Sequence, residues 1–94
     1  MDNLEQNLEQ YFQDAVRDIN NTTAKINPQT TLKLYGLYKQ ALFGDNTVVK
    51  PHFFYFNSCK KWYSWKAEKG KSKIQAKKEY IEEVNELFSN IYTY

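Results

Sequence analysis

Ninety-four residues, 41% of them hydrophobic and 26% charged, are the profile of one folded domain (residues 1–94) with a modest core, not of a disordered chain. No apolar run approaches the roughly 18 residues of a membrane span, and the acidic start Met1-Asp2-Asn3-Leu4-Glu5 lacks the apolar stretch of a secretory signal. The formal net charge of +2 hides a split: residues 1–24 carry five carboxylates against Arg17, whereas residues 60–78 carry eight lysines against Glu68. The basic half implies an anionic partner, or else a solvated lysine face. Cys59 is alone and can make no internal disulfide, so the reducing cytoplasm is the expected compartment.

The first helix is expected at about residues 4–20, where Leu4, Leu8, Phe12, Ala15, Val16 and Ile19 recur at i+3 and i+4, with Tyr11 beside them. Asp2 or Asn3 is its expected N-cap, with acids in the first turn to meet the helix dipole. Asn20-Asn21-Thr22-Thr23 ends it, because these side chains compete for backbone hydrogen bonds. Asn27-Pro28 reads as N-cap and first residue of a second helix at about 28–43, closed by Gly44 in a left-handed conformation.

Within that second helix Tyr35, Tyr38 and Lys39 stand at i, i+3 and i+4 and share one face, while Leu34, Leu37 and Leu42 point toward the interior. Two phenols beside an ammonium offer flat rings for a base, hydroxyl donors, and a cation for an anion. Gly36, inside the same span, costs about 1 kcal/mol against alanine and admits close approach by a ligand or another backbone. The spacing leaves two readings of Tyr35 and Tyr38 open: rings that face a ligand, or helix-packing residues with a wet hydroxyl.

From Asp45 to Asn57 the periodicity breaks. Asp45-Asn46 reads as a turn, and Pro51 forces Lys50 out of helical geometry. The run His52-Phe53-Phe54-Tyr55-Phe56 has no second strand to pair with and is expected as an ordered loop packing its rings on the helices. Asn57 or Ser58 would cap a third helix at about 58–69, with Gly70 just beyond it and Trp62 and Trp65 as a heavy apolar edge belonging to the core. Ser72-Lys73-Ile74-Gln75 fits a capping box for a fourth helix at about 72–91. Its stripe is Ile81, Val84, Leu87, Phe88 and Ile91, with Tyr80 on the margin. The expected fold class is therefore all-α, four helices with one long loop.

Most catalytic chemistry is missing. With His52 as the sole histidine, Cys/His zinc spacing is impossible, and no metal site is expected. Cys59 with His52 is a nominal nucleophile and base, but a lone cysteine in a first helical turn reads as structural. The carboxylates are scattered on helix surfaces, and the three isolated glycines build no phosphate loop. Neither an enzyme nor a bound cofactor is expected. Eight tyrosines exceed what a small core needs, so some rings should face a ligand. If the second and third helices open toward one another, Lys39 and Lys61 can clasp a phosphate while a tyrosine ring stacks on a base. The acidic first helix would repel a long polyanion, so a single small polyphosphate ligand fits better than nucleic acid. A membrane-surface role for the lysine helices is disfavoured further, since their apolar faces are needed for the core and few bulky hydrophobes are left for lipid, and no stable membrane insertion is expected.

The segments Leu34-Tyr35-Gly36-Leu37-Tyr38-Lys39-Gln40-Ala41, Gly44-Asp45, Lys61-Trp62 with Trp65, Gly70, and Ala76 with Tyr80-Ile81 resemble the acyl-CoA-binding protein family, ungapped from Tyr35 to Tyr80. Phe12, Ala15 and Ile19 agree more loosely. The resemblance implies an up-down-down-up four-helix bundle, usually monomeric, that binds long-chain fatty acyl-CoA esters without changing them. It implies that Tyr35, Lys39 and Lys61 meet the 3′-phosphate of CoA. Tyr38 and Tyr80 would surround the adenine and its neighbouring parts, and the segment Tyr35-Gly36-Leu37-Tyr38-Lys39 would act as one surface. Asn57 stands at a position where the family often has a contacting lysine. Asn20, His52, Lys60 and Tyr63 also depart from the pattern, and Lys60 is placed to supply the charge missing at Asn57. Competing expectations are a helical adaptor docking an acidic protein through its lysine face, and a thioesterase or acyltransferase accessory.

Overall fold

Four helices and no strand make up the described part of the computed structural model, which covers residues 2–92, with side chains described for residues 7–89: α1 (Asp2–Asn21), α2 (Pro28–Phe43), α3 (Phe56–Lys66) and α4 (Lys73–Tyr92). The expected cap at Asp2 or Asn3, and Leu4 and Ile91 of the apolar stripes, lie outside the residues whose side chains are described. The helices form a plate of 40 × 37 × 18 Å. α2 packs against α3 on one side and α4 on the other, and α1 packs on α4. α1 and α2 thus flank α4 and leave a trough between them.

Local chemistry sets most boundaries where the sequence places them. The Asn27 side chain accepts from the Gln29 N–H at 2.7 Å, with Pro28 at the first helical position. Gly44 closes α2 at φ +79°, a conformation glycine alone adopts freely, and its N–H donates to the Gln40 carbonyl. The Ser72 hydroxyl accepts from the Gln75 N–H at 3.0 Å, half of a capping box; the Gln75 amide donates onward to Glu79 instead of closing the other half.

The third helix departs from expectation at both ends. It begins at Phe56, after Tyr55, whose side chain caps nothing, so neither Asn57 nor Ser58 is its cap. The start is held by the preceding loop: the Tyr55 N–H donates to His52 O and the Cys59 N–H to Tyr55 O, both at 2.9 Å, and the Cys59 thiol meets the Pro51 and His52 carbonyls at 3.4 Å. The helix ends at Lys66, and residues 67–70 tighten into i−3 turns. The Gly70 N–H then donates to Asp45 at 2.8 Å, which draws the end of this turn toward the end of α2.

The core joins Phe12 and Ala15 of α1, Leu34, Leu37 and Ala41 of α2, and Ala76, Tyr80 and Val84 of α4. On α4 the fully inward line steps by four through Ala76, Tyr80 and Val84, with Ile81 and Phe88 half-buried beside it. Tyr80, expected on the margin, is therefore a core residue. The larger apolar side chains of this core, such as Phe12, Leu37 and Val84, each contribute on the order of 1.5–3 kcal/mol when fully buried. Leu42 is also displaced from expectation: the buried face of α2 carries Gly36, Leu37, Gln40 and Ala41, and the next residue turns about 100° away, leaving Leu42 more than a third exposed.

Gly36 explains how close α2 and α3 come. A Cβ built there would lie 2.3 Å from the Ser64 carbonyl oxygen, so any larger residue would wedge two backbones apart. Overpacking of that kind costs about 1–3 kcal/mol. Buried polar groups then knit the long loop to this pair. The Gln40 amide donates to Asp45 and to the Lys71 carbonyl, at 2.9 and 2.8 Å. Asn46 donates to the Trp62 carbonyl and accepts from the Val48 N–H. The indoles of Trp62 and Trp65 donate to Val48 O and Gly44 O. Trp65 is buried as expected, whereas Trp62 stays half-exposed.

The aromatic run does not pack on the helices. Phe53, Phe54, Tyr55 and Phe56 all stand exposed, and the rings of His52, Phe53 and Phe54 lie against one another. The loop bonds back onto itself at His52 and onto Cys59 of α3, and the rings stand on its outer side.

Candidate ligand-binding site

Tyr35 sits where two depressions meet. On one side is a trough of about 320 Å³, walled by Val16, Ile19 and Asn20 of α1 and by Thr31, Leu34, Tyr35 and Tyr38 of α2, with Tyr80 of α4 on its floor. On the other side is a hollow of about 240 Å³ between α2, the long loop and α3, lined by Tyr35, Lys39, Val48, Pro51, Ser58, Lys61, Trp62 and Trp65.

The second hollow is cationic. The ammonium of Lys61 lies 5.5 Å from the centre of the Tyr35 ring and that of Lys39 6.0 Å from it. Lys39 also stands 4.6 Å over Phe43 and 5.0 Å over Trp65, so ring faces hold it without neutralising it. Among the described residues neither lysine has an ion-pair partner, and no carboxylate lines the hollow. Two unneutralised cations facing one ring repel each other until an anion enters between them.

The trough carries the rings. Phe12 bridges Tyr38 and Tyr80, with ring centroids 6.2 Å from the first and 5.2 Å, edge-on, from the second, and Tyr38 and Tyr80 lie 6.4 Å apart. Tyr80 is only 4% exposed. Burial, with a smaller effect from Tyr38, pushes its phenol up to about 12, so it remains an uncharged hydrogen-bonding group.

The structure thus gathers Tyr35, Tyr38, Lys39, Lys61 and Tyr80 around one continuous opening. Gly36 and Leu37 lie in the same segment but turn inward. Gly36 touches the α3 backbone, and Leu37 is fully buried in the core and borders a different hollow on the α4 side. The close approach that Gly36 permits is that of α3. Asn57 is exposed in a third depression, of about 420 Å³, with Lys60, Ile26 and Leu32, which adjoins the cationic hollow through Lys61. Sequence reasoning missed Val48, Pro51 and Ser58, which reach the hollow only because the loop folds back onto Trp62. It also missed Thr31, although Thr31, Leu34, Tyr35 and Tyr38 fall at i, i+3, i+4 and i+7 and this signal was present.

Cations beside apolar surface suit an amphipathic anion, and the fold with this site defines a helical ligand-binding protein. The comparisons give the family. The acyl-CoA-binding protein model matches residues 9–84. The chain is 40% identical over 82 residues to acyl-CoA-binding protein 2 of Saccharomyces pastorianus, covering 87% of this chain and 94% of that one. It is 39% identical over 82 residues to the acyl-CoA-binding protein of Saccharomyces cerevisiae, with the same coverage. The crystal structure of Oryza sativa acyl-CoA-binding protein 2 superposes with a TM-score of 0.85 at 36% identity, covering 89% of this chain and 93% of that one. The chain belongs to the acyl-CoA-binding protein family.

Proposed function

We propose that this protein binds medium- and long-chain fatty acyl-CoA esters without altering them, buffering and carrying them in the cytoplasm as a monomer. The observation that carries the reading is the pair of unneutralised ammonium groups, Lys39 and Lys61, facing Tyr35 in a hollow whose other walls include Val48, Pro51, Trp62 and Trp65. In this reading the two lysines and the Tyr35 hydroxyl take the 3′-phosphate of CoA, and Tyr38 and Tyr80 border the adenine and neighbouring parts. The acyl chain lies in an apolar groove partly covered by the head group, which screens it from water. Charge-assisted hydrogen bonds contribute about 1.5–3 kcal/mol each. Ten sequestered methylenes contribute roughly 8 kcal/mol before the ordering costs of binding. Chain length therefore governs affinity, and the head group governs orientation and selectivity.

A non-catalytic role accords with the chemistry. The Cys59 thiol is engaged with two backbone carbonyls, and the His52 ring nitrogen Nδ1 accepts from the Phe54 N–H, so this nominal nucleophile and base serve the loop. The ligand is the acyl-CoA itself, with no further cofactor.

Calorimetric titration with palmitoyl-CoA, CoA and palmitate tests the reading. Palmitoyl-CoA should bind one to one and be recovered intact, with each fragment weaker by at least about a hundredfold. Palmitate binding as tightly as palmitoyl-CoA would remove the head-group half of the proposal, and release of free CoA would remove the non-catalytic half.

A further inference from the structure

Outside the Tyr35 site, the feature that neither core nor ligand accounts for is the tip of the long loop. Val49 is 87% exposed, Phe53 64%, and Phe54 and Phe56 71% each. Single exposed hydrophobes are ordinary, but a run of neighbouring aromatic rings is not. The tip is also pinned. The His52 carbonyl and ring nitrogen accept the Tyr55 and Phe54 N–H groups, and the Cys59 thiol ties its base to α3. The rings of His52, Phe53 and Phe54 stack with centroids 4.5–4.8 Å apart. A preordered knuckle loses little further conformational freedom when it is covered.

The charge around it has one sign. Residues 46–67 hold four lysines and no carboxylate. Lys50 lies at the base of the knuckle, its ammonium 4.8 Å from the Tyr63 ring. Phe56, Lys60 and Tyr63 share one face of α3 at i, i+4 and i+7. Glutamates gather elsewhere, around a hollow on α4.

We propose that this knuckle docks the protein reversibly on an anionic lipid bilayer. Phe53, Phe54 and Phe56 enter the boundary between headgroups and acyl chains, and Lys50 and Lys60 meet anionic headgroups. The contact is peripheral and involves no spanning segment. Aromatic rings beside lysines are the chemistry of that boundary. Rings this exposed protrude rather than line a cleft, and a bilayer needs no complementary cleft to receive them. A second copy would bring the same unopposed lysines against these. Pro51, Ser58 and Lys61 border both this loop or its helix and the cationic hollow, so docking would set the hollow's rim near the membrane. That consequence rests on the acyl-CoA reading, whereas the docking does not.

The test is flotation of the ligand-free chain with vesicles of phosphatidylcholine alone and of phosphatidylcholine with phosphatidylserine. Binding should favour the anionic vesicles and weaken as salt rises. The double variant Phe53→Ser/Phe54→Ser should lose roughly tenfold in vesicle affinity. Lys50→Glu should remove the preference for anionic lipid. Both variants should keep wild-type helicity and palmitoyl-CoA affinity. Absence of wild-type binding to anionic vesicles at low salt overturns the proposal, as does undiminished binding by the double variant. Self-association without lipid that the double variant abolishes would give the rings to a copy–copy contact and overturn it equally. Because the vesicles carry no acyl-CoA, a failed ligand titration leaves this result readable, and the reverse holds as well.

Discussion

Two sets of lysines on the same plate live in opposite surroundings. Lys33, Lys71 and Lys77 are each matched to carboxylates: Lys33 to Glu68 at 2.9 Å, Lys71 to Glu68 and Glu79 at 2.6 Å, and Lys77 to Glu9 at 2.6 Å. Lys39 and Lys61 are matched to aromatic faces and to no carboxylate. The first set ties elements together: Lys33 joins α2 to the turn after α3, Lys71 joins that turn to α4, and Lys77 joins α4 to α1. The second set meets only ring faces across α2 and α3 and keeps its charge for something outside the chain. A lysine count alone cannot separate the two; the position of the nearest glutamate does.

The sharpest way to break this division is to remove the unmatched pair. Lys39→Ala/Lys61→Ala should lower palmitoyl-CoA affinity by about 3–4 kcal/mol, several hundredfold or more, since two charge-assisted contacts disappear together. Its thermal unfolding should hardly move, because no ion pair is lost. A calorimetric titration beside a melting curve reads both. A variant that unfolds early but binds normally would reverse the roles of the two sets.

Glu68→Gln probes the opposite member. Its carboxylate is almost fully buried between two ammonium groups, but those groups are 44% and 29% exposed and can turn to water. The expected loss is accordingly about 1–2 kcal/mol of stability, with ligand affinity unchanged. The pH dependence of unfolding sharpens the same point. The hydrogen bond from Lys71 holds the Glu79 carboxyl below its ordinary 4.5, and that from Lys77 does the same for Glu9. Their contribution is complete above that value and is lost as pH falls through the lower native ones. For Lys71, burial pulls the ammonium down, but the bonds to Glu68 and Glu79 outweigh it and hold the group above 10.5. Its contribution is complete below 10.5 and disappears as pH rises through the higher native value. Stability should therefore fall at both extremes, and Glu68→Gln should flatten the alkaline side.

The helices were legible because their signals are local. Asn27-Pro28, Gly44 and Ser72 act within a turn of themselves: the structure caps α2 with Asn27, ends it at Gly44 and forms the Ser72 half of the box. The segment of Tyr35, Tyr38 and Lys39 was legible for the same reason, although Tyr38 turns to the trough and Lys39 to the cationic hollow on either side of Tyr35. What stayed hidden depends on other elements. Tyr80 falls on the margin of its own stripe and reaches the core only because Phe12 and Tyr38 surround it. The start of α3 escaped notice because a carbonyl and a thiol hold it in place of a side-chain cap. The aromatic run misled because hydrophobic composition argues for burial, while the loop's own bonds, from Phe54 and Tyr55 to His52, leave the rings standing outward.

The smallest expected effect concerns the rim between the two sets. Asn57 and Lys60 line one depression with Lys61, one helical turn apart on α3, and Asn57 carries no charge. If Lys60 supplies that charge to the ligand's phosphates, Lys60→Ala should weaken palmitoyl-CoA binding by about 0.5–1 kcal/mol, the scale of an exposed charge contact. The loss should shrink at high salt, since an exposed contact is screened within about 10 Å at 0.1 M ionic strength. Asn57→Lys in the same background should restore it, because a cation would then stand one turn earlier on the same rim. Unchanged affinity in Lys60→Ala at low salt would confine the ligand's charge to Lys39 and Lys61, and the rescue variant would then have nothing to rescue.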